Sequence, residues 1–262
     1  MPQMRPESRH RRPLRVALWT VASMVLAAAS AGCAQLAAAD SNALWKIVDG
    51  QCVMSMRSAG NPGFCARVDL AGHYAILKDI NGSSQYLLIP TVRVPGIESP
   101  SLLDHDAPRY WSAAWDSRTY VEKAVKKPLG DNQMGLEINS AYRRSQSQLH
   151  IHIDCMRADV IDALARHREN TPGKWHWDTI DGNRYRIMRV TALTEGDDPF
   201  RIVARDRAAS DAMASQTVLV TGAGPSAASD GWLIVNSGLD LDEGSGSAEP
   251  LLDHACKIAR QP

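Results

Sequence analysis

The sequence lacks a surplus of either charge: 29 Lys and Arg stand against 29 Asp and Glu in 262 residues. It lacks a second long apolar run as well. Only residues 16–39 are uncharged and apolar enough to span a bilayer, which excludes a transporter or channel. There is no exact internal repeat and no long linker, since Gly244-Ser245-Gly246-Ser247 is only a small loop. The neutral total hides an asymmetry. Five arginines and one acid precede residue 40, leaving 24 basic and 28 acidic residues from residue 40 onward. A body of that sign has no surplus of the basic charge that a nucleic-acid binder needs. What remains, 44% hydrophobic and 22% charged, is the composition of a packed globular body near the largest size one core serves.

The arginines of residues 1–15 sit immediately before the apolar segment. That bias keeps the N-terminus cytoplasmic and exports the body, residues 40–262. Segment 16–39 reads as a transmembrane anchor. A cleaved signal and a lipoprotein signal compete with it, because Ser30-Ala31-Gly32-Cys33 loosely resembles a lipobox. Cysteine usage agrees with export. Outside Cys33 there are four cysteines, an even number that reads as two disulfides with three possible connectivities. Cys52 and Cys65 flank the turn-rich Ser58-Ala59-Gly60-Asn61-Pro62-Gly63 and form the natural local pair, which leaves Cys155 with Cys256. Closing the first loop contributes on the order of 3 kcal/mol.

The body alternates helix and strand signals and reads as α+β. A short helix over 41–49 leads to a hairpin of 74–78 and 85–89 around Asn81-Gly82, the strongest short-range hairpin cue. A helix capped by Asp106 follows, with Trp111, Ala114, Trp115, Val121 and Val125 at helical spacing. Strands are expected at 135–139, 147–154 and 185–190, and helices at 157–168 and 199–213. A second hairpin joins 217–220 to 232–235, and a final helix over 250–260 carries Cys256. The C-terminal part repeats the earlier grammar, which suggests a half-repeat of one α+β unit.

The chemistry-bearing stretch is Asn139-Ser140-Ala141-Tyr142-Arg143-Arg144-Ser145, followed by Gln146-Ser147-Gln148-Leu149-His150-Ile151-His152-Ile153-Asp154-Cys155. Side chains alternate faces on a strand, so Gln148, His150 and His152 share one face while Leu149, Ile151 and Ile153 enter a core. Two imidazoles and an amide make a poor core face and a good site face, because histidine serves as nucleophile, acid or donor near neutral pH. Surface histidines without a role are one competing reading. Another is a His-x-His metal site, needing a third ligand such as His73, His105 or His254.

Gln148-Leu149-His150-Ile151-His152-Ile153 resembles the strand motif of the histidine-triad superfamily, with Gln148 in place of the first histidine. Within it, the body is similar to the bacterial CDP-diacylglycerol pyrophosphatases. The segments that carry this are Leu77-Lys78-Asp79, Tyr86-Leu87-Leu88-Ile89-Pro90, Arg93, Gly96-Ile97-Glu98-Ser99-Pro100, Ser145-Gln146, the histidine strand with Cys155, and Asp253-His254 with Cys256. The resemblance implies a histidine-triad-like antiparallel sheet with helices. It implies hydrolysis of the pyrophosphate of CDP-diacylglycerol to CMP and phosphatidate, at the periplasmic face of the inner membrane, without cofactor or metal. His150 matches the nucleophile and His152 the histidine that orients the phosphate or stabilises its charge. Ser145 matches the hydroxyl that meets phosphate or leaving group, and Asn139 a position that holds the loop or a phosphate oxygen. Gln148 can donate and accept hydrogen bonds but cannot carry a proton. Lys78, Arg93, Arg143 and Arg144 are expected near the histidine strand as phosphate-binding cations, and Glu98 beside a basic residue or the ribose. Two other functions stay open: an exported metal- or ligand-binding lipoprotein, and a less specific nucleotide pyrophosphatase or nucleotidyl transferase.

Overall fold

A computed structural model describes residues 40–260, except 210 and 241–244. The basic tail and the expected anchor, 16–39, lie outside the described residues. Among those described, no helix is long and apolar enough to cross a membrane.

The strands are β1 (Arg67–Asp69), β2 (Tyr74–Lys78), β3 (Tyr86–Pro90), β4 (Met134–Ile138), β5 (Ile151–Cys155), β6 (Trp175–Ile180), β7 (Asn183–Val190), β8 (Gln216–Gly222) and β9 (Trp232–Gly238). They form one mixed-order, wholly antiparallel sheet, β1-β2-β3-β5-β4-β8-β9-β7-β6. Helices α3 (Tyr110–Asp116) and α4 (Thr119–Val125) connect β3 to β4, as α6 (Pro199–Asp206) connects β7 to β8. The order β2-β3-β5-β4 therefore continues into β8-β9-β7-β6, the same arrangement run outward from the centre. This is the half-repeat that the grammar of the sequence suggested.

One face of the sheet is closed by α3, α4 and α6. Trp111, Ala114, Val121, Phe200 and Val203 pack on Leu88, Leu136, Ile151, Ile153, Val218 and Ile234. Each large side chain buried this way contributes about 1.5–3 kcal/mol. The opposite face carries two separate apolar clusters. At one end α1 (Ala43–Ile47) runs through a wider π turn, Val48–Val53, into α2 (Met54–Ala59). Val48, Cys52 and Val53 of this segment cover Leu77, Leu87 and Ile89. At the other end Val160 and Leu164 of α5 (Ala158–Ala165), with Leu251 and Leu252, cover Leu219, Leu233 and Val235. His152 pairs across the strands with Leu87 of the first cluster and with Glu137, whose other neighbour is Leu219 of the second. The polar site lies where the two clusters part.

The hairpin falls where its signal puts it, with Lys78 opposite Tyr86. Gly82 turns it with φ +68°, and a Cβ there would meet the His254 carbonyl oxygen at 2.7 Å. Several expectations are corrected. Asp106 caps nothing: residues 104–107 make a turn, and the helix begins at Tyr110. It breaks at Ser117, whose hydroxyl bonds back to the Ala113 carbonyl at 2.7 Å. Residues 147–150 are not strand, because Ser147 N bonds Ser41 O and Leu149 N bonds Val94 O instead of a ladder partner. The helix from Pro199 stops at Asp206. Residues 250–260 are no helix either. Leu252 bridges Met156, Asp253 N bonds Cys155 O, and only short 3-10 turns flank Cys256, whose φ is 45°. Strands β1 and β6 lacked an apolar run because both are edge strands with half-exposed side chains.

Both disulfides join the expected partners, Cys52 to Cys65 and Cys155 to Cys256. Peptide mapping without reductant should recover these two pairs. Replacing Cys155 and Cys256 by Ser, which opens a separation of 101 residues, should cost on the order of 4 kcal/mol in urea unfolding. Cys155 joined to Cys52 would contradict the docking of the C-terminal segment on β5.

Candidate active site

The chain enters β5 under tight control. Gln148 is fully buried, and its Nε2 donates to the carbonyls of Pro90 (3.1 Å) and Val92 (2.9 Å) while its Oε1 receives Val94 N (3.4 Å). Gln148 thus braces residues 90–94 and does not line the cavity, contrary to a substrate-binding role. Its backbone carbonyl sets the next side chain. His150 Nδ1 lies 2.8 Å from Gln148 O, and a carbonyl only accepts, so Nδ1 carries the hydrogen and Nε2 keeps its lone pair. Burial, and then the neighbouring His152, push the His150 pKa down to about 4. At neutral pH it is an uncharged ring with an unprotonated Nε2.

His152 stands on the same face, with its ring 5.0 Å from that of His150. Leu149, Ile151 and Ile153 face the helix-covered core, as the alternation requires. Gln85 Nε2 donates one hydrogen to Asp79 Oδ2 (2.7 Å) and the other to His152 Nδ1 (2.6 Å). This relay fixes the opposite tautomer to that of His150: Nδ1 accepts and Nε2 bears the hydrogen. Burial lowers the His152 pKa to about 4, so this ring too is neutral.

Two carboxyls stand beside Nε2. Glu137, fully buried in β4, has its Oε2 3.9 Å away. Burial, and then Glu249, raise its carboxyl well above the usual range. The Thr217 hydroxyl lies 2.8 Å from Ile138 O and 3.1 Å from Glu137 Oε1, which Ala248 N also approaches at 3.2 Å. Oε2 has no hydrogen-bond partner among the described residues. Glu249 is the charged partner, with a pKa lowered to about 2 by His254, against burial, and by Asn139, whose Nδ2 donates to its Oε2 at 3.0 Å. His254 lies between Asp154 (2.9 Å) and Glu249 (3.5 Å), and these carboxylates raise it to about 10, a fixed cation. Glu137, His152 and Glu249 offer atoms within 4.8 Å of one another, a spacing a metal ion could use. The Gln85 relay argues against that use, because the ring nitrogen facing the carboxyls carries a hydrogen where a metal needs a lone pair. Neither His73, His105 nor His254 joins this group.

His150 and His152 open on a cavity of about 400 Å³. Its wall includes Ala43, Leu44 and Ile47 of α1, Ile80 of the hairpin, and Lys78, Asn139, Arg143, Arg144, Ser145 and Glu249. Lys78 is tethered by its Nζ to the carbonyls of Asp79 and Gly82. Arg144 is held in a two-bond pair with Glu98, both at 2.6 Å, which assigns Glu98 to a basic residue. A Cβ on Gly96 would strike this guanidinium, so the pair needs glycine there. Arg93 is not in the cavity wall: it bonds Asn42 and covers the Trp45 ring at 5.5 Å. The expected residues Lys78, Asn139, Arg144, Ser145, His150 and His152 thus converge, while Arg93 and Gln148 do not line the space. Sequence reading gave no part to Gln85, Glu137 and Glu249; it quoted Asp79 and Asp154 only within motif segments, and His254 there and as a possible third metal ligand. Glu137 did leave a signal, an acid inside the apolar run Met134-Gly135-Leu136-Glu137-Ile138.

A neutral imidazole with a free lone pair, at the wall of a cavity bearing tethered cations, is equipment for nucleophilic attack on a phosphoryl group. The family of CDP-diacylglycerol pyrophosphatases matches residues 39–260, and the chain belongs to that family. A CDP-diacylglycerol pyrophosphatase from Yersinia pestis is 37% identical over 222 residues, 84% of this chain and 85% of its own.

Gln148→Ala should destabilise the fold by about 1–3 kcal/mol, by stranding two carbonyls and an amide. A change under about 0.5 kcal/mol in urea unfolding would contradict the bracing role.

Proposed function

We propose that this hydrolase cleaves CDP-diacylglycerol to CMP and phosphatidate by attack of His150 Nε2 on the cytidine-side phosphorus. The carrying observation is the Nδ1 contact to the Gln148 carbonyl, which leaves Nε2 unprotonated and aimed from the cavity wall. The Nε2–P bond forms as the bond to the bridging oxygen breaks, and phosphatidate departs as a phosphate monoester. That leaving group needs no strong general acid, which fits an amide at Gln148. Lys78, Arg143 and Arg144 balance charge on the phosphoryl oxygens, and Ser145 and Asn139 bind beside them. Water then cleaves the phosphoramidate and frees CMP. The fold reading that goes with this is a histidine-triad-like half and a second half in which β9 carries Leu233 and Val235 and no histidine, so one site serves both halves.

The proposed setting is the periplasmic face of the inner membrane, tethered by residues 16–39, where a lipid substrate is met by lateral diffusion. The basic tail and the two disulfides support it. Free thiols at these four cysteines in protein taken directly from cells would contradict export.

His150→Ala should reduce CMP release from CDP-diacylglycerol by at least about 1,000-fold. Since neutral His150 is the active form and its pKa is about 4, kcat/KM should hold through pH 5 and fall only as pH drops through about 4. Full activity of the variant, or an acid limb centred near 6.5, would contradict the assignment.

A further inference from the structure

Attack by His150 leaves part of the wall without a task. His152 Nε2 and Glu137 Oε2 face each other at 3.9 Å, and neither has a hydrogen-bond partner among the described residues. Both residues are more than nine-tenths buried. An oxygen of Glu249, which reaches the cavity, completes a triangle with sides under 4.8 Å. The gap is too long for a direct bond, yet one oxygen atom placed between the two would lie about 2.8 Å from each. The demands are specific: Nε2 offers one donor, and Oε2 and Glu249 offer two acceptors. A water molecule meets all three with its two hydrogens and one lone pair, and its second lone pair stays free. A phosphoryl oxygen would face the Glu249 carboxylate and be repelled.

We infer that Glu137, His152 and Glu249 hold the water that hydrolyses the intermediate on His150, and that this set makes the site hydrolytic instead of transferring the nucleotide to another acceptor. The inference rests on the His150 reading. The water oxygen forms its bond to phosphorus through the free lone pair, and the P–Nε2 bond breaks with its electron pair returning to the ring. One hydrogen of the water stays on the departing CMP, and the other passes to the Glu249 carboxylate and on to solvent. Glu249 touches the reacting water and is a catalytic residue in this step. Glu137 fixes the position of the water, with Thr217 and Ala248 N holding its Oε1. His254 and Asn139 hold Glu249 in turn.

The test separates the two half-reactions by rapid quench with cytidine-labelled CDP-diacylglycerol in detergent micelles. In Glu249→Gln, label should reach the protein within about 3-fold of the normal rate, whereas its decay to CMP slows at least about 30-fold. The adduct then accumulates toward one per chain, and added glycerol captures a larger share of the nucleotide. Glu137→Met, which keeps the buried shape and removes the acceptor, should slow decay in the same selective way. A residue with a purely structural role would slow both steps together, and that result would overturn the inference. Decay at the normal rate in both variants would overturn it as well, leaving the His150 reading intact. Absence of any protein-bound label in wild type and variants would remove the His150 reading, and this inference with it.

Discussion

The site depends on how the chain is held as it enters β5. Gln148 is the hinge of that entry: its amide pins the 90–94 segment, and its carbonyl receives the His150 Nδ1 hydrogen. One backbone oxygen therefore decides which ring nitrogen keeps its lone pair. A buried hydrogen bond of this kind is inexpensive to keep and costly to lose, because the stranded group has no water to turn to. An amide at this position can brace the backbone and can take no part in proton transfer.

The sheet provides the second constraint. Its helix-covered face is continuous core, so every alternate residue of β5 must point the other way, into the gap between two apolar clusters. Burial there keeps both imidazoles neutral, and the two are given opposite tautomers by different partners: a carbonyl for His150, the Asp79–Gln85 relay for His152. A ring with a free lone pair and a ring with a free hydrogen stand 5.0 Å apart. The C-terminal segment docks on Cys155 and brings Glu249 and His254 to the same wall, and the second disulfide fastens it there.

Much of this was legible in the residues. The alternation of Leu149, His150, Ile151 and His152, the Asn81-Gly82 hairpin and the cysteine pairs are local or countable signals, and they hold. The failures share a cause. Glu249 and Glu137 are 112 positions apart, and nothing local to either says that β4 and the C-terminal segment will meet. The same holds for Gln148, whose partners lie more than 50 residues away, and for residues 250–260, whose helical pattern yields to strand-like contacts with Cys155 and Met156. Arg93 was placed by its neighbours in the sequence, but the indole of Trp45 and Asn42 take it away from the cavity.

The central claim is that Nε2 of His150 takes the nucleotide. Its most direct measurement is peptide mass analysis of the chain after acid-free quenching during turnover with CDP-diacylglycerol. The account predicts a cytidine monophosphate group on the peptide that contains His150, stable to base and lost in mild acid. A phosphatidyl group on that peptide, or a nucleotide on any other residue, would contradict it.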